Sequence, residues 1–425
     1  MGPSRRALLD LSLVSRSVRA IAQPVLYHHF GYLDHGAFDL VKFCRTVYKN
    51  PELGKCLRWA NISSSAVLLS PRVTRDWLPD AIERFSNHLF PNLQRWEEYS
   101  LKGALAPLIL LHAPNLERVD DNGRNEDVLS HMVGWQDAAL VHNGAFPQNV
   151  SSVWLGDWVD TFHDNYKFGI NLSLNGLGRL LSSLQALHSL TIYCPWFSIV
   201  DKQVLLRHLR VLRLGQFLMP RDQFERLISC TPLLEEFSHF YFGVPGMDRR
   251  DSATIPEICE VLTQRKGTLR RLMLDASCTT DDIDGLRLLE NLEELKIYAG
   301  PLLRLRNNPV RIDSNTLVRI LPPSLRKLHV KVKIPGLDLV GKALMTYIPS
   351  TYRDSPNEQK LQQVYFDVYE DPGQCYIPFK EALENICHEW TKHGTIVFSR
   401  RRFAWYDMGD WGSTEGVVDV EDHRD

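Results

Sequence analysis

Apolar residues recur along this sequence in the pattern LxxLxL, in which x is any residue and each L position is aliphatic or aromatic. Five copies are aliphatic at all three positions, and they begin at Leu187, Leu209, Leu269, Leu292 and Leu325. Weaker copies begin at Leu234 and Leu361, and in the first half of the chain at Leu57, Leu93, Leu116 and Val150. A unit of this size cannot bury its apolar face alone, so successive units must stack on one another.

The step between copies suits one short strand, a returning helix and two turns. It ranges from 22 residues, between Leu187 and Leu209, to 37 residues, between Val150 and Leu187. We therefore predict an α/β fold, an irregular leucine-rich-repeat solenoid with a curved parallel sheet and outer helices. The alternative is that LxxLxL is merely common in Leu-rich α/β proteins.

Two segments between the copies carry helix signals. Residues 222–230 place Phe224, Leu227 and Ile228 on one helical face. Thr254 and Glu257 have the spacing of a capping box, and Gly267 is positioned to end that helix before a strand near Leu269. These signals predict the order helix, strand, helix, strand.

The first thirty residues form a different unit. Leu8, Leu11, Val14, Val18 and Ile21 recur at steps of three or four, which predicts one apolar helical stripe that Pro24 interrupts. The segment from residue 7 to residue 27, with its LVSR, Ala-Gln-Pro and Leu-Tyr elements, resembles the second half of an F-box of the kind common in filamentous fungi. In that family irregular leucine-rich repeats follow the F-box.

The resemblance implies that this unit docks on the Skp-type adaptor of a cullin-based SCF ubiquitin ligase while the repeats hold a target protein. The positions that match the family's adaptor contacts are Leu8, Leu9, Leu11, Val14, Ile21, Pro24, Leu26 and Tyr27. For each of them, packing against the first repeat is the alternative. An F-box normally starts with a helix containing a Leu-Pro pair, which this sequence lacks, so either the gene model is truncated or docking is impaired.

Charge and hydropathy exclude several partners. The chain has 49 Lys and Arg against 51 Asp and Glu, a net charge of −2, so no field attracts nucleic acid over a distance. No apolar stretch reaches the roughly 18 to 20 residues of a membrane helix. The eight cysteines include no CxxC pair, which is typical of thiols in a reducing compartment. We expect no nucleic-acid or membrane partner and a cytoplasmic and/or nuclear location.

No catalytic or cofactor pattern is complete. The GxxxxGK spacing at Gly336 to Lys342 is followed by Ala343, which lacks the hydroxyl that a phosphate loop gives to Mg²⁺. His388 and His393 are five residues apart, whereas two zinc ligands on one helical face need a spacing of four. We therefore predict no catalytic residue, no metal and no cofactor. An enzyme in the degenerate stretch between Pro71 and Gln148 is a weaker alternative.

Side chains between the buried positions of each copy should project from the opposite face of the sheet. The residues that we predict to form the target-binding surface on that face are Trp154, Tyr193, Arg213, Arg271, Lys296, Tyr298, His329 and Tyr365. Aromatic side chains mixed with both charge signs are typical of protein recognition.

The predicted organisation has three parts. They are a partial F-box unit at 1–30, repeats with a C-terminal cap at 31–406, and an acidic disordered tail at 407–425. Within the second part, Arg400 to Arg402 are predicted to follow a strand at 395–398.

Overall fold

The computed structural model gives the chain as two compact units, Met1–Met219 with Ser229–Pro232, and Pro220–Ile228 with Leu233–Asp425. It describes residues 3–30, 37–61, 109, 112–121, 148–156, 171–173, 181–193, 196–198, 204–215, 219–240, 252–274, 283–298, 316–333, 340, 343, 347, 361–370, 388 and 396–403. Within these ranges, no helix has both the length and the hydrophobicity needed to cross a membrane.

The chain begins with two helices, α1 (Pro3–Val14) and α2 (Arg16–Leu26), instead of the single stripe predicted from the sequence. The prediction is wrong at Ser15, whose hydroxyl accepts a hydrogen bond from the backbone N–H of Val18 at 3.1 Å and caps α2. It is also wrong at Pro24, which lies inside α2. The helix continues past Pro24 because the backbone N–H of Tyr27 donates to the carbonyl of Gln23 at 3.1 Å.

Helix α3 (Ala37–Lys49), which α4 (Pro51–Gly54) follows, packs against the C-terminal end of α2 and against the first strand, β1 (His29–Phe30). The ring of Phe43 in α3 stacks on Phe30 at 4.2 Å and on Tyr27 at 5.7 Å between ring centroids. The predicted 1–30 segment therefore shares its core with the residues that follow it.

The first unit has a parallel sheet whose strands pair in chain order. Its strands are β1, β2 (Trp59–Asn61), β3 (Arg118–Asp121), β4 (Ser152–Gly156), β6 (Ser189–Tyr193) and β8 (Val211–Gly215). Two further strands, β5 (Asn171–Ser173) and β7 (Trp196–Ser198), pair with each other in a separate parallel sheet.

The second unit repeats the same arrangement of parallel strands. Its helices are α5 (Arg221–Ser229), α6 (Ile255–Leu262) and α7 (Thr316–Ile320), with 3₁₀ turns at Thr263–Arg265 and Asp284–Leu288. Its strands pair in the order β9 (Glu236–Phe240), β10 (Arg271–Leu274), β11 (Glu294–Tyr298), β12 (Lys327–Lys333), β13 (Gln363–Glu370) and β14 (Ile396–Phe403).

One hydrogen-bond pattern recurs at successive strand junctions within each unit. The backbone N–H groups of Arg58 and Trp59 both donate to the carbonyl of His28, at 2.9 and 3.2 Å. In the second unit, the N–H groups of Glu293 and Glu294 likewise both donate to the carbonyl of Arg270, at 2.8 and 3.0 Å. A shared acceptor at the same point of successive units is the backbone signature of a repeat.

The aliphatic positions of the repeats form the core. Each described copy begins with a residue that is at most 3% exposed: Leu57, Leu116, Val150, Leu187, Leu209, Leu234, Leu269, Leu292, Leu325 and Leu361. Strand β11 alternates, with Leu295 and Ile297 buried and its other residues half-buried. The predicted α/β fold class, a leucine-rich-repeat array of parallel strands with intervening helices, is confirmed.

Two local predictions are wrong, and a third concerns a residue outside the described part of the chain. Leu93 lies outside the described residues, and among those described β2 pairs directly with β3. Helix α6 has the predicted capping box but ends at Leu262, where a 3₁₀ turn takes over, so Gly267 does not end it. The three arginines at 400–402 lie within β14 rather than after a strand, because β14 stays paired with β13 as far as Phe403.

Four cysteines lie in the described part, and all of them are free thiols. Complete burial raises the pKa of the Cys44 thiol far above its usual range and that of Cys259 to about 12. These two thiols are therefore protonated at neutral pH and pack as small apolar side chains.

Candidate functional site

The two N-terminal helices expose apolar side chains that a folded chain normally buries. Large apolar residues exposed on α1 and α2 are Leu9, Leu11, Leu13, Val14, Ile21 and Val25, with Val14 at 71% and Ile21 at 74% exposure. The two helices are tied together where the Arg19 side chain donates to the carbonyl of Ser12 at 2.9 Å. Isolated exposed apolar residues are ordinary, but this concentration on one helix pair sets the surface of α1 and α2 apart from the rest of the described chain.

The predicted adaptor contacts divide into two groups. Leu9, Leu11, Val14, Ile21 and Pro24 are exposed. Leu8, Leu26 and Tyr27 are half-buried, and Tyr27 stacks on Phe43 within its own unit. The sequence analysis did not select Leu13 and Val25, although both are exposed beside the predicted positions.

A stacked row of side chains crosses the first three strands of the first unit. The His29 ring lies parallel to the Trp59 ring, with centroids 3.8 Å apart, and the Arg118 guanidinium lies 4.4 Å from the Trp59 centroid on the neighbouring strand. The carboxylate of Asp120, only 4% exposed, accepts hydrogen bonds from the Trp59 indole N–H at 2.7 Å and from Arg118 Nε at 2.8 Å. This carboxylate fixes the orientation of both neighbours.

Replacing Asp120 with alanine is expected to lower the free energy of unfolding by about 2 kcal/mol, because the Trp59 N–H and the Arg118 guanidinium lose their acceptor. Urea denaturation monitored by tryptophan fluorescence measures the change. Glu117→Ala is the matched control, since that carboxylate is 58% exposed and 3.6 Å from Arg58, and an exposed pair contributes less than about 1 kcal/mol. Equal losses in the two variants would contradict the role of Asp120.

The same sheet carries three of the predicted target-binding residues, in two register rows. Trp154 is half-buried and pairs in register with Asp120 and Thr191, and Arg213 pairs with Thr191 on the other side. Thr191 is buried, although it lies on the face that we predict to bind the target. The reason is that this small residue lies between the large side chains of Trp154 and Arg213. Tyr193 occupies a register position between Gly156 and Gly215.

In the second unit, four polar side chains of β11, β12 and β13 contact one another. We call Glu294, Lys296, His329 and Tyr365 the β11–β13 cluster. Glu294 Oε1 lies 3.3 Å from His329 Nε2 and 3.4 Å from Lys296 Nζ. The His329 ring is stacked on the Tyr365 ring, with centroids 4.2 Å apart and planes 3° from parallel.

Burial and charge set the protonation of this cluster. Burial raises the pKa of the Glu294 carboxyl, but the hydrogen bond from His329 and the charge of Lys296 lower it more, to about 2. Burial lowers the pKa of His329, and its hydrogen bond to Glu294 offsets part of that shift. At neutral pH Glu294 is therefore ionised and His329 is neutral, donating its Nε2 proton to the carboxylate.

The remaining predicted target-binding residues lie beside this cluster. Lys331 Nζ is 4.5 Å from the centroid of the Tyr298 ring, and Arg271 Nε is 3.2 Å from Glu236 Oε2 on the adjacent strand. Arg271 is exposed, whereas Met273 on the same face is buried and offers nothing to a partner. These side chains hold one another in place, so binding them costs little conformational entropy.

The sequence analysis missed His29, Trp59, Arg118 and Asp120. Trp59, Arg118 and Asp120 lie at outward positions of the copies beginning at Leu57 and Leu116, but these copies are weak. His29 lies on β1, which belongs to no copy. Within the described residues, no group of His, Cys, Asp or Glu could hold a metal ion. Most of the two rejected catalytic patterns and all of the acidic tail lie outside the described part.

Comparisons with known proteins find similarity among solved structures only. The sequence matches no protein-family model, and no curated protein is significantly similar to it. Among solved structures, the chain is similar to that in the crystal structure of a TLR13–ssRNA13 complex, at 15% sequence identity and a TM-score of 0.35. The match covers 70% of this chain and 38% of the other, so this chain spans well under half of that protein's length.

Proposed function

We propose that this chain is the substrate-recognition subunit of an SCF-type ubiquitin ligase. In this proposal α1 and α2 dock on a Skp-type adaptor, and the outward faces of the strands bind a target protein. The chain supplies no catalytic group, because holding the target beside a ubiquitin-loaded subunit accelerates transfer by proximity. It would act in the cytoplasm and/or the nucleus, where cullin-based ligases work.

The observation that carries this proposal is the exposure of apolar side chains within the segment that resembles an F-box. Residues that must desolvate against a partner are expected to be apolar, exposed in the free chain and supported by a folded base. Val14 and Ile21 are the most exposed of them, while Ala22 and Tyr27 anchor α2 to its own unit. The β11–β13 cluster supports the target-binding part, since it combines aromatic rings with fixed charges.

A second candidate is a non-catalytic repeat scaffold that does not bind the adaptor. The specific observation in its favour is that Leu8, Leu26 and Tyr27, three of the eight predicted adaptor contacts, are half-buried within the first unit. Side chains already packed internally cannot contribute fully to an adaptor interface.

Binding to a purified Skp-type adaptor, measured by calorimetry with the full chain, separates the two candidates. We expect binding of the wild-type chain, and a loss of at least about 100-fold for Ile21→Glu, because a buried interface does not accept an unpaired charge. Leu288→Glu is the matched control, since Leu288 is a comparably exposed apolar residue, at 58%, outside α1 and α2. No binding by the wild-type chain, or equal losses in both variants, would reject adaptor docking through α2 and leave the scaffold.

A further inference from the structure

A cleft of about 550 Å³ lies among helices α2, α3 and α4 of the first unit. Its lining includes Gln23 from α2, Lys42, Arg45 and Lys49 from α3, Asn50 at the start of α4, and the buried Leu53 of α4. The lining is therefore rich in cations and amides, and it is a different surface from the strand faces and from the exposed apolar residues.

The three cations lie on one side of α3. Residues at i, i+3 and i+7 fall within about 60° of one another around a helix with 3.6 residues per turn. The opposite side of α3 is buried through Val41, Cys44, Val47 and Tyr48. Packing of the apolar side therefore fixes the direction in which Lys42, Arg45 and Lys49 point.

Two of the three cations in this cleft lack a carboxylate partner in the described part of the chain. Among the residues that the structure describes, its lining contains no carboxylate, and no ion pair there involves Arg45 or Lys49. Neighbouring cations of the same unit behave differently, because Lys55 pairs with Glu52 at 2.7 Å and Arg118 with Asp120 at 2.8 Å. A concave surface lined by cations of one sign raises the local concentration of anionic ligands.

We propose that this cleft binds a carboxylate-rich segment of a partner protein. From Lys42 to Lys49 the cations span about 10 Å along the helix axis, at 1.5 Å per residue. That spread exceeds a single phosphate group, whereas acidic side chains at alternate positions of an extended segment repeat about every 7 Å. The Gln23 and Asn50 amides supply hydrogen-bond donors to the same segment.

This site is separate from the proposed adaptor surface. Gln23 is two positions from both Ile21 and Val25, which places it about 160° to 200° around α2 from these exposed residues. The cleft and the exposed apolar side chains therefore occupy opposite sides of α2, and a variant can remove one without the other.

Fluorescence anisotropy with the full chain tests the proposal. The probe is a labelled eight-residue peptide of alternating Glu and Ser, and the neutral control replaces each Glu with Gln. We expect the acidic peptide to bind with an affinity that falls as salt is added, and Arg45→Glu or Lys49→Glu to weaken it about tenfold each. Arg207→Glu is the matched control, because this exposed arginine of the same unit lies outside the cleft, and Ile21→Glu is also expected to leave peptide binding unchanged.

Three results would overturn the proposal. The acidic peptide fails to bind, it binds the Arg45 and Lys49 variants as tightly as the wild type, or inorganic phosphate at millimolar concentration displaces it completely, which would identify a phosphate site. Arg45→Gln and Lys49→Gln, which remove charge without reversing it, guard against misfolding, and their thermal unfolding should match that of the wild type.

Discussion

Replacing Leu234 with alanine is expected to lower the free energy of unfolding by about 3 kcal/mol, while the same change at Leu233 costs less than about 0.5 kcal/mol. Leu234 is completely buried at the first position of a repeat copy, whereas its neighbour Leu233 is 42% exposed. The two variants lose the same atoms at adjacent positions, so their difference isolates burial. Urea denaturation of each variant, followed by circular dichroism, gives the two values.

This pair also tests whether the weak copy at Leu234 is a true repeat. Its second position, Phe237, is fully buried and packs against Phe224 of α5, with ring centroids 5.4 Å apart. Truncation of Leu234 opens a cavity in a close-packed core, which relaxes only partially. A loss below about 1 kcal/mol at Leu234, or a loss at Leu233 as large as that at Leu234, would contradict the packing of this copy.

The buried positions of the repeats are predictable from sequence because each must be apolar and each returns at the same place in its unit. Leu187, Leu269 and Leu325 are examples, since every one of them lies two residues before a strand and is buried. The same reasoning predicts which residues face the other way, as Lys296 and His329 do. The spacing of the apolar residues and their alternation with polar residues therefore predict the fold class.

The contacts of the candidate sites are not predictable in the same way. The stack of His29, Trp59 and Arg118 joins residues that are 30 and 59 positions apart, and its first member lies in a two-residue strand that has no copy of the repeat pattern. The β11–β13 cluster depends on register, because Lys296 pairs with His329 and His329 with Tyr365. Sequence periodicity selects the face, but only the strand pairing decides which side chains meet.

The N-terminal helices show a third case, in which a local signal is present but ambiguous. Ser15 is a good helix-capping residue, yet the apolar steps continue across it from Val14 to Val18, so the pattern favours one helix. The structure breaks the helix there because the Ser15 hydroxyl caps α2. The exposure of Val14 and Ile21 follows from that break and not from the stripe alone.

Gly54→Ala is expected to destabilise the first unit by about 3 kcal/mol, at the upper end of the cost of overpacking a core. Gly54 is buried at the end of α4, and a Cβ atom there would overlap the carbonyl oxygen of His112 and approach Val47 Cγ1 to 2.9 Å. The obstacle is mainly backbone, which cannot rotate away as a side chain can. Thermal unfolding followed by circular dichroism measures the loss.

Gly267→Ala is the matched control, because a Cβ atom there meets nothing within 4 Å and the residue is exposed. Since alanine has less conformational freedom than glycine in the unfolded chain, this change is expected to be neutral or to stabilise by up to about 1 kcal/mol. Opposite responses of the two glycines would show that close backbone approach, rather than glycine itself, sets the requirement at position 54. An unchanged stability of Gly54→Ala would contradict the packing of α4 against the backbone of His112. It would also contradict the positions of Asn50 and Leu53, which line the cleft that contains Lys42, Arg45 and Lys49.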